Sequence, residues 1–429
     1  MPLIRGMRHL ALYQLVLSLG VTFLLLFPGT GEAAQSQTLG LSDILARAAN
    51  YDPSTKAGAA RVRAAEAGLT QAGTRPNPVL GIETEDFAGS GNYSRFDEIQ
   101  TTLYYEELWE RGGKRKARTD VAGAELTLAQ RRKTTGSLDL AAEVQTAWVE
   151  ALAAQEAAAL AEEQFATAKR MEREFRHRAD RALDPQFAYE RIRATTAQAE
   201  IAHERAVLNA QAARESLASY WGGTGDFQLD RAPFVELSTD GEVKENSTDI
   251  ELLRAAREAA AARVRLEKAH GVQDVSLRAG LRHFSADDDV AMIFGVSIPL
   301  GVYDTNRGNI ERAQAEQLAA EIDIAATRAR REREIARLAA SRATTAKEVR
   351  RIDTEVLPGL ERAVALVREG FGRGGTAFTL LEVTEAQRAL ADASSRRIEL
   401  LRQFHLDSAR LDRLTDRHAS IFSHTETNQ

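Results

Sequence analysis

The sequence contains no cysteine. This absence excludes structural disulfides, thiol nucleophiles, cysteine-ligated zinc and the attachment of an N-terminal lipid to cysteine. Proline and aromatic residues are also scarce, whereas alanine, arginine and glutamate are abundant. That usage is typical of long helices that pack closely against one another. The mildly acidic balance of charge argues against nucleic acid as the partner.

Long hydrophobic runs are rare as well. One run, from Leu10 to Phe27, follows Arg5 and Arg8 and precedes small residues up to Ala34. This pattern predicts an export signal over residues 1–33, which is then left out of the fold. A permanent N-terminal anchor is the alternative, because the run is long for a signal core. No other run approaches the roughly twenty apolar residues of a spanning helix, so any further membrane crossing must use strands.

Two adjacent stretches have the period-two alternation of strands. Residues 290–300 place large apolar side chains on one face and mostly small ones on the other. In residues 275–284, Arg278 and Arg282 lie opposite the apolar side chains. The acidic residues 287–289 between them lack the spacing of a calcium loop and indicate a solvated turn. Strands of about ten residues with one apolar and one polar face are typical of membrane β-barrels.

The order helix, strand, loop, strand, long helix occurs twice, at a spacing of roughly 200 residues. The segment Ala59–Arg63 recurs word for word as Ala261–Arg265. Helix and strand signals then predict the boundaries. The first repeat, 34–223, contains a helix capped by Ser42 and Asp43, strands at about 78–87 and 99–108, a long helix at about 112–178 and a return helix at about 185–220. A connecting segment spans 224–248. The second repeat, 249–416, contains a helix at about 249–270, strands at about 275–284 and 290–300, a long helix at about 309–369 and a return helix at about 376–414, and a mobile tail follows at 417–429.

The helix lengths predict how each repeat is assembled. Each long helix reaches on the order of 90 to 100 Å, and the two shorter helices of the same repeat together match that length. The simplest geometry stacks two short helices end to end beside one long antiparallel helix. Pro358 lies inside the second long helix and is expected to bend it, because proline removes a backbone donor and crowds the preceding turn.

Several short motifs together resemble the TolC-type outer-membrane efflux factors. They are Pro76-Asn77-Pro78, Gly112-Gly113-Lys114-Arg115, Ser297-Ile298-Pro299-Leu300, Asn306-Arg307-Gly308-Asn309-Ile310, and the hairpin from Glu369-Gly370-Phe371 to Leu381-Glu382-Val383 with Ala386-Gln387-Arg388. Within that family, residues 83–87 followed by a glycine-rich loop look like the outer-membrane subunits of cobalt-zinc-cadmium and copper-silver efflux systems. The chain departs from the lipid-anchored branch in lacking cysteine, and from many members at residues 104–109.

The resemblance implies a mixed α and β membrane protein. It implies a homotrimer in which each chain gives four strands to one twelve-stranded outer-membrane β-barrel, which continues into a long periplasmic α-helical barrel. The cell is then Gram-negative, and the partners are outer-membrane lipid, a periplasmic membrane-fusion adaptor and an inner-membrane proton-driven pump of the RND type. The function it implies is passive export, with heavy-metal cations favoured over organic drugs or secreted products.

The two helix-to-helix turns far from the strands are the candidate functional residues. Asp180 and Asp184, repeated about a threefold axis, are gate candidates that favour cations, and Arg373 is a candidate partner for Asp180. Asp184 before Pro185 also reads as an ordinary N-cap. The candidates for docking an adaptor are Arg181, Leu183, Gly370, Gly372, Gly374 and Gly375. The glycines also permit a tight turn, which would explain them without a partner.

Metal binding and catalysis have no motif. The histidines are scattered without the helical pairing of a zinc site. Gly112-Gly113-Lys114 lacks the upstream glycine and the following Ser or Thr of a phosphate loop. We therefore predict no cofactor and no enzyme activity. A soluble periplasmic coiled-coil scaffold is the alternative of another class, and it conflicts with the apolar stripe at 290–300.

Overall fold

The computed structural model describes residues 38–94, 96–238, 247–372 and 380–423. The predicted export signal lies outside these residues. Within them the elements run in the order β1 (Thr38–Leu39), α1 (Leu41–Tyr51), α2 (Pro53–Ala72), β2 (Val79–Glu85), β3 (Gln100–Trp109), α3 (Lys114–Asp180), α4 (Gln186–Ala218), β4 (Gln228–Leu229), α5 (Ala232–Val235), α6 (Thr248–His270), β5 (Val275–Phe284), β6 (Asp289–Ser297), α7 (Arg307–Arg351), a π-helical turn (Ile352–Val356), α8 (Leu357–Gly372), α9 (Leu380–Leu414) and α10 (Ala419–Ser423).

Long helices dominate both repeats. Helix α3 has 67 residues, which corresponds to a length of about 100 Å. Helices α2 and α4 both pack along α3, and α6 and α9 both pack along α7. This is the arrangement of short helices beside a long one that the helix lengths predict. Helix α3 also contacts α6 and α9, so the two repeats pack directly against each other.

The first helix begins differently from the prediction. Its N-cap residue is Gly40, and the backbone N–H of Gly40 donates to a carboxylate oxygen of Asp43 at 3.4 Å. Asp43 therefore lies in the first turn, where its charge favours the helix N-terminus. The break at Asp52-Pro53 is present, because the Asp52 carboxylate accepts from the N–H of Ser54 at 2.8 Å and Pro53 begins α2.

Each long helix begins at a residue in the left-handed region. Gly113 precedes α3 with φ of 73°, and Asn306 precedes α7 with φ of 60°. Glycine adopts this conformation without steric cost and asparagine tolerates it better than most residues. The chain can therefore turn sharply from strand to helix at the same place in both repeats, which supports the duplication seen in the sequence.

Prolines set several boundaries that the sequence placed a few residues away. Strand β6 ends at Ser297 and not at Leu300, because Pro299 has no N–H to donate to a ladder. Strand β2 begins after Pro78 and ends before Asp86, which has φ of 59°. At Pro358 the helix continues, but a π-helical turn over Ile352–Val356 directly precedes it. The irregularity expected from the missing proline donor is therefore a local change of winding.

The main hydrophobic core lies where the short helices of the two repeats meet the long ones. Fully buried side chains there include Ile44, Val144, Leu152, Phe234 and Leu401. The prediction of a mobile tail from residue 417 onward is wrong for its first part. Nε2–H of His418 donates to Oε1 of Gln145 at 3.1 Å, and Ile421 packs against this core. The apolar side chain of Ile421 is thereby partly buried, which sequence alone does not reveal.

Four strands form one antiparallel sheet in the order β2-β3-β5-β6. The two hairpins of the duplicated chain are joined through the pair β3 and β5, which runs from Gln100 opposite Phe284 to Trp109 opposite Val275. The two-residue strands β1 and β4 pair separately, in parallel. No helix in the described ranges is both long enough and apolar enough to span a membrane.

Candidate functional site: a two-faced sheet and a helical tip

The four-stranded sheet has two chemically different faces. Directly opposite residues share a face, as do residues two apart on one strand, so the register assigns every side chain. One face, called the apolar face below, carries large side chains that are exposed in the single chain. They are Leu80, Ile82, Leu103, Tyr105, Trp109, Leu281, Val290, Met292, Phe294 and Val296. The apolar stripe predicted for 290–300 is thus part of a surface that crosses all four strands.

The opposite face, called the polar face, is crossed by ion pairs. Arg278 donates from Nη2 to Oε2 of Glu106 at 3.0 Å and from Nη1 to Oε2 of Glu83 at 3.4 Å. Its guanidinium carbon also lies 4.0 Å from the centre of the Tyr104 ring. One arginine on β5 therefore binds together three side chains from β2 and β3.

A second arginine makes a similar bridge four residues further along β5. Arg282 donates to Oγ1 of Thr102 at 2.9 Å and to Oε1 of Gln100 at 3.1 Å. It also forms an ion pair with Glu85 at 3.0 Å. The two arginines that the sequence placed opposite the apolar residues are therefore on the polar face, and their partners come from the first repeat.

Carboxylates outnumber arginines on the polar face. The register places Glu83, Glu85, Glu106 and Asp289 there, against Arg278 and Arg282. The strands therefore give this face a net negative charge. A polar face of this sign attracts cations and disfavours anions.

The acidic turn between β5 and β6 is exposed, as expected for a solvated turn. The side chain of Asp288 is 95% exposed and its Oδ1 lies 2.9 Å from Nε2 of His283. Asp288 has φ of 54°, a conformation that aspartate tolerates in tight turns. Among the described residues, no group of three or more His, Asp or Glu side chains is placed to hold a metal ion.

An ion pair fastens the sheet to the long helix at the opposite end. Nζ of Lys114 lies 2.8 Å from Oδ2 of Asp274, and the N–H of Arg111 donates to Oδ1 at 2.9 Å. Burial alone would raise the pKa of Asp274, but the hydrogen bonds from Lys114 and Arg111 lower it below the usual range. Lys114 of the Gly-Gly-Lys-Arg motif therefore has a structural role at this junction.

The tip of the first helical hairpin is organised by Arg178. Its guanidinium donates to the carboxylate of Asp184 across the turn and lies 4.5 Å from the centre of the Phe371 ring. Phe371 stacks on Phe175 with 5.3 Å between the ring centres. Arg178 thereby connects the first helical hairpin to the end of α8. Arg178 was not among the residues predicted from the sequence, and Phe371 entered only as part of the hairpin motif. An arginine six residues before Asp184 was the available signal.

The capping role considered for Asp184 is wrong. The N-cap of α4 is Pro185, and no side chain caps that helix. The carboxylate of Asp184 instead accepts from Arg178, whose pKa is raised first by this hydrogen bond. The carboxylate that would cap α4 is therefore occupied by a charge-assisted pair with a partly buried arginine.

The remaining tip candidates divide into exposed residues and residues outside the described ranges. Asp180, Arg181 and Leu183 are all exposed at the turn. Phe187, which the sequence analysis did not single out, is 69% exposed on the first turn of α4. Gly370 and Gly372 belong to the end of α8. Arg373, Gly374 and Gly375 lie outside the described residues.

The chain is similar to known proteins both in part and over most of its length. Residues 241–416 match the family described as outer membrane efflux protein. The cobalt-zinc-cadmium resistance protein CzcC of Cupriavidus metallidurans is 28% identical over 407 residues, which cover 93% of this chain and 94% of CzcC. The nickel-cobalt-cadmium resistance protein NccC of Alcaligenes xylosoxydans xylosoxydans is 27% identical over 314 residues, covering 71% of this chain and 70% of NccC.

The fold has solved counterparts as well. Crystal structures of CusC, described in connection with transmembrane channel formation, superpose with a TM-score of 0.73 at 16% identity and cover 91% of this chain and 95% of CusC. At that identity the match concerns the fold alone, and it agrees with the helices and strands described above. These similarities confirm the predicted TolC-type resemblance, through the second-repeat match to the outer membrane efflux protein family, the similarity to CzcC over most of the chain and the shared fold of CusC.

Proposed function

We propose that the chain forms the outer-membrane channel of a heavy-metal efflux system and conducts cations passively out of the cell. The observation that carries this proposal is the sheet, with an exposed apolar face on one side and a polar face rich in carboxylates on the other. Lipid matches the first face, and water with hydrated cations matches the second.

Closure of the sheet requires more copies of the chain. In the described chain, β2 and β6 are the two edges of the sheet. Open sheet edges inside a membrane are energetically unfavourable, because lipid cannot form hydrogen bonds with their backbone groups. β2 and β6 run antiparallel to each other, so β6 of one copy can pair with β2 of the next. Three copies then give a closed barrel of twelve strands, and the long helices give a tunnel below it.

The helical tip is the proposed place of contact with the rest of the export system. Leu183 and Phe187 present exposed apolar side chains beside Arg181. Exposed apolar groups clustered at one end of a protein are typical of contact sites for other proteins. We assign this surface to a periplasmic adaptor that connects the channel to an inner-membrane, proton-driven pump. Asp180 remains the proposed gate residue, since it is exposed where three copies would approach their axis.

Metal cations are the substrate class that both lines of support favour. CzcC and NccC are resistance proteins for cobalt, zinc and cadmium and for nickel, cobalt and cadmium. The carboxylate excess on the polar face, Glu83 and Glu106 included, suits divalent cations better than anionic or apolar compounds.

Deletion and complementation in the native cell test this function. A strain without the gene is expected to lose resistance to zinc, cobalt, cadmium or nickel and to keep its resistance to dyes. A strain that becomes sensitive to dyes but keeps its metal resistance would instead identify a channel for organic compounds. Extraction of the protein from membranes by buffer without detergent would contradict the barrel and support a soluble scaffold.

A further inference from the structure

A notch lies at the lower corner of the sheet, where the strands meet the helices. Strand β2 begins at Val79, opposite Glu106, but β3 continues to Trp109. Residues 107–109 therefore have no strand beside them on the β2 side within the described chain. The cavity at this corner has a volume of about 750 Å³ and is lined by Arg75, Pro76, Trp109, Lys114, Arg115 and Lys116, among others.

A short apolar segment projects from the opposite edge of the same sheet. In residues 300–303, called the 300–303 segment, Leu300 is 83% exposed, Val302 is 67% exposed and Tyr303 is fully exposed. Three large side chains in open solvent next to the membrane are unfavourable unless something covers them. In the single chain, none of the described residues shields the side chain of Tyr303 from solvent.

The 300–303 segment is held at both ends. Before it, Ser297 of β6 pairs with Ser276 of β5. After it, Nδ2 of Asn306 donates to the backbone oxygen of Glu267 at 2.7 Å and to its Oε2 at 2.8 Å. Both ends of the segment are therefore fixed in position, so less conformational entropy is lost when the segment docks.

Strand direction determines what the segment meets. β2 begins, and β6 ends, at the helix side of the sheet. When β6 of one copy lies beside β2 of the next, the chain that leaves β6 passes the chain that enters β2. That chain is Arg75–Pro78, and its first two residues, Arg75 and Pro76, line the notch. The 300–303 segment of one copy thus arrives at the notch of its neighbour.

The chemistry of the two surfaces is complementary. Arg75 and Arg115 are exposed at the notch, and Trp109 is exposed at its edge. A tyrosine ring packs well against an indole, and guanidinium groups stack on aromatic faces. Lys114 and Lys116 are already paired with Asp274 and Asp120, so the two arginines are the cations that remain to receive the ring.

We propose that the 300–303 segment of each copy inserts into the notch of the next copy and locks neighbouring subunits together just below the barrel. This inference rests on the trimer proposed above. It adds a second intersubunit contact, at the helix side of the membrane, to the pairing of β6 with β2. Tyr303 is the central residue of this lock, with Arg75, Trp109 and Arg115 as its receptor.

Cross-linking tests the lock directly, because the chain has no cysteine of its own. The full-length protein is prepared in native membranes with Tyr303→Cys combined with Arg75→Cys, or with Arg115→Cys, and treated with a short bis-maleimide. Covalent dimers and trimers are expected from these double variants and from neither single variant. Tyr303→Cys with Tyr93→Cys is the matched control, since Tyr93 is an exposed aromatic in the loop at the other end of the sheet.

The possible results separate the lock from the trimer. A second pair, Thr84→Cys with Val290→Cys, reports edge-to-edge pairing of β2 with β6, because both residues lie near the loop end of the apolar face. Cross-links at this pair but at neither notch pair would overturn the lock and leave the trimer. No cross-links at any pair and a monomeric mass in native mass spectrometry would overturn both. A phospholipid retained by the trimer without notch cross-links would assign the cavity to lipid and overturn the lock.

A stability measurement gives an independent readout. Tyr303→Ala is expected to lower the temperature at which the detergent-solubilised trimer dissociates, whereas Tyr303→Phe keeps the ring and is expected to keep that temperature. Tyr93→Ala, which removes an exposed aromatic in the loop at the other end of the sheet, serves as the control that leaves dissociation unchanged. Equal dissociation temperatures for Tyr303→Ala and the unmodified protein would contradict the lock.

Discussion

Arg178 and Asp184 form an ion pair across the turn that ends the first long helix. Both side chains are less than a quarter exposed, and the same guanidinium lies against the ring of Phe371. Asp184 is therefore occupied in fixing the turn, whereas Asp180 is exposed. The two acidic residues, both gate candidates from the sequence, therefore have different environments in the fold.

Removal of the charge at Asp184 is expected to loosen the tip. Asp184→Asn weakens a charge-assisted pair worth about 1 to 2 kcal/mol, so amide hydrogen exchange around residues 175–188 should speed up by about tenfold. Exchange measured by mass spectrometry checks this. Asp180→Asn is the control and should leave exchange at the turn unchanged. Equal acceleration by both variants would show that the turn does not depend on the Arg178 pair.

The close approach of β3 and β5 makes one glycine of the sheet irreplaceable. A Cβ on Gly280 would lie 2.4 Å from the backbone oxygen of Leu103 and 2.9 Å from Cβ of Tyr104. A Cβ on Gly295 would meet only Cβ of Arg278, at 3.8 Å. An added methyl group that clashes with the backbone typically lowers the free energy of unfolding by about 1 to 3 kcal/mol. Gly280→Ala should therefore lower the melting temperature of the sheet by circular dichroism, and Gly295→Ala should leave it unchanged.

The polar face is expected to control ion selectivity. Arg278→Met removes the cation that pairs with Glu106 and Glu83, so the face becomes more negative and cation selectivity in planar bilayers should increase. Glu106→Gln makes the face less negative and should decrease cation selectivity. Arg278→Lys keeps the charge and serves as the control. Reversal potentials in a salt gradient measure the selectivity. Equal reversal potentials for Arg278→Met and Glu106→Gln would place this face outside the conduction path.

Two partly buried histidines predict a loss of stability in mild acid. Burial lowers the pKa of His405 below its ordinary value of 6.5, although the carbonyl oxygen of Phe234, 2.8 Å from Nε2, opposes the shift. Burial likewise lowers the pKa of His418, against the attraction of Asp412. The unfolded chain then binds more protons than the folded chain, so the free energy of unfolding falls as pH drops below about 6.5.

Thermal unfolding in detergent between about pH 7.5 and pH 5 measures this dependence. His405→Gln retains a side-chain donor for the Phe234 carbonyl but does not titrate, so the decline of the melting temperature with falling pH should be smaller. His177→Gln, at an exposed position, should follow the unmodified protein. An unchanged slope in His405→Gln would exclude this histidine as a source of the acid sensitivity.

Local sequence determined the kinds of elements and most of their extents. The alternation of residues 275–300 specified two strands and their apolar sides, because the side-chain period of a strand depends on nothing beyond the strand itself. Asp52-Pro53, Pro78 and Gly113 set element boundaries through their own backbone constraints. The family motifs added the TolC-type fold, which the helices, strands and comparisons support.

Only the tertiary structure decided which side chains meet. Glu106 and Arg278 are 172 residues apart in the chain, and their pairing depends on the register of β3 against β5. The contact of Arg178 with Phe371 likewise joins the two repeats, and the packing of Ile421 ordered a segment that looked like a free tail. Periodicity and caps act over a few residues, whereas these contacts are chosen by the burial and charge of groups brought together from distant parts of the chain.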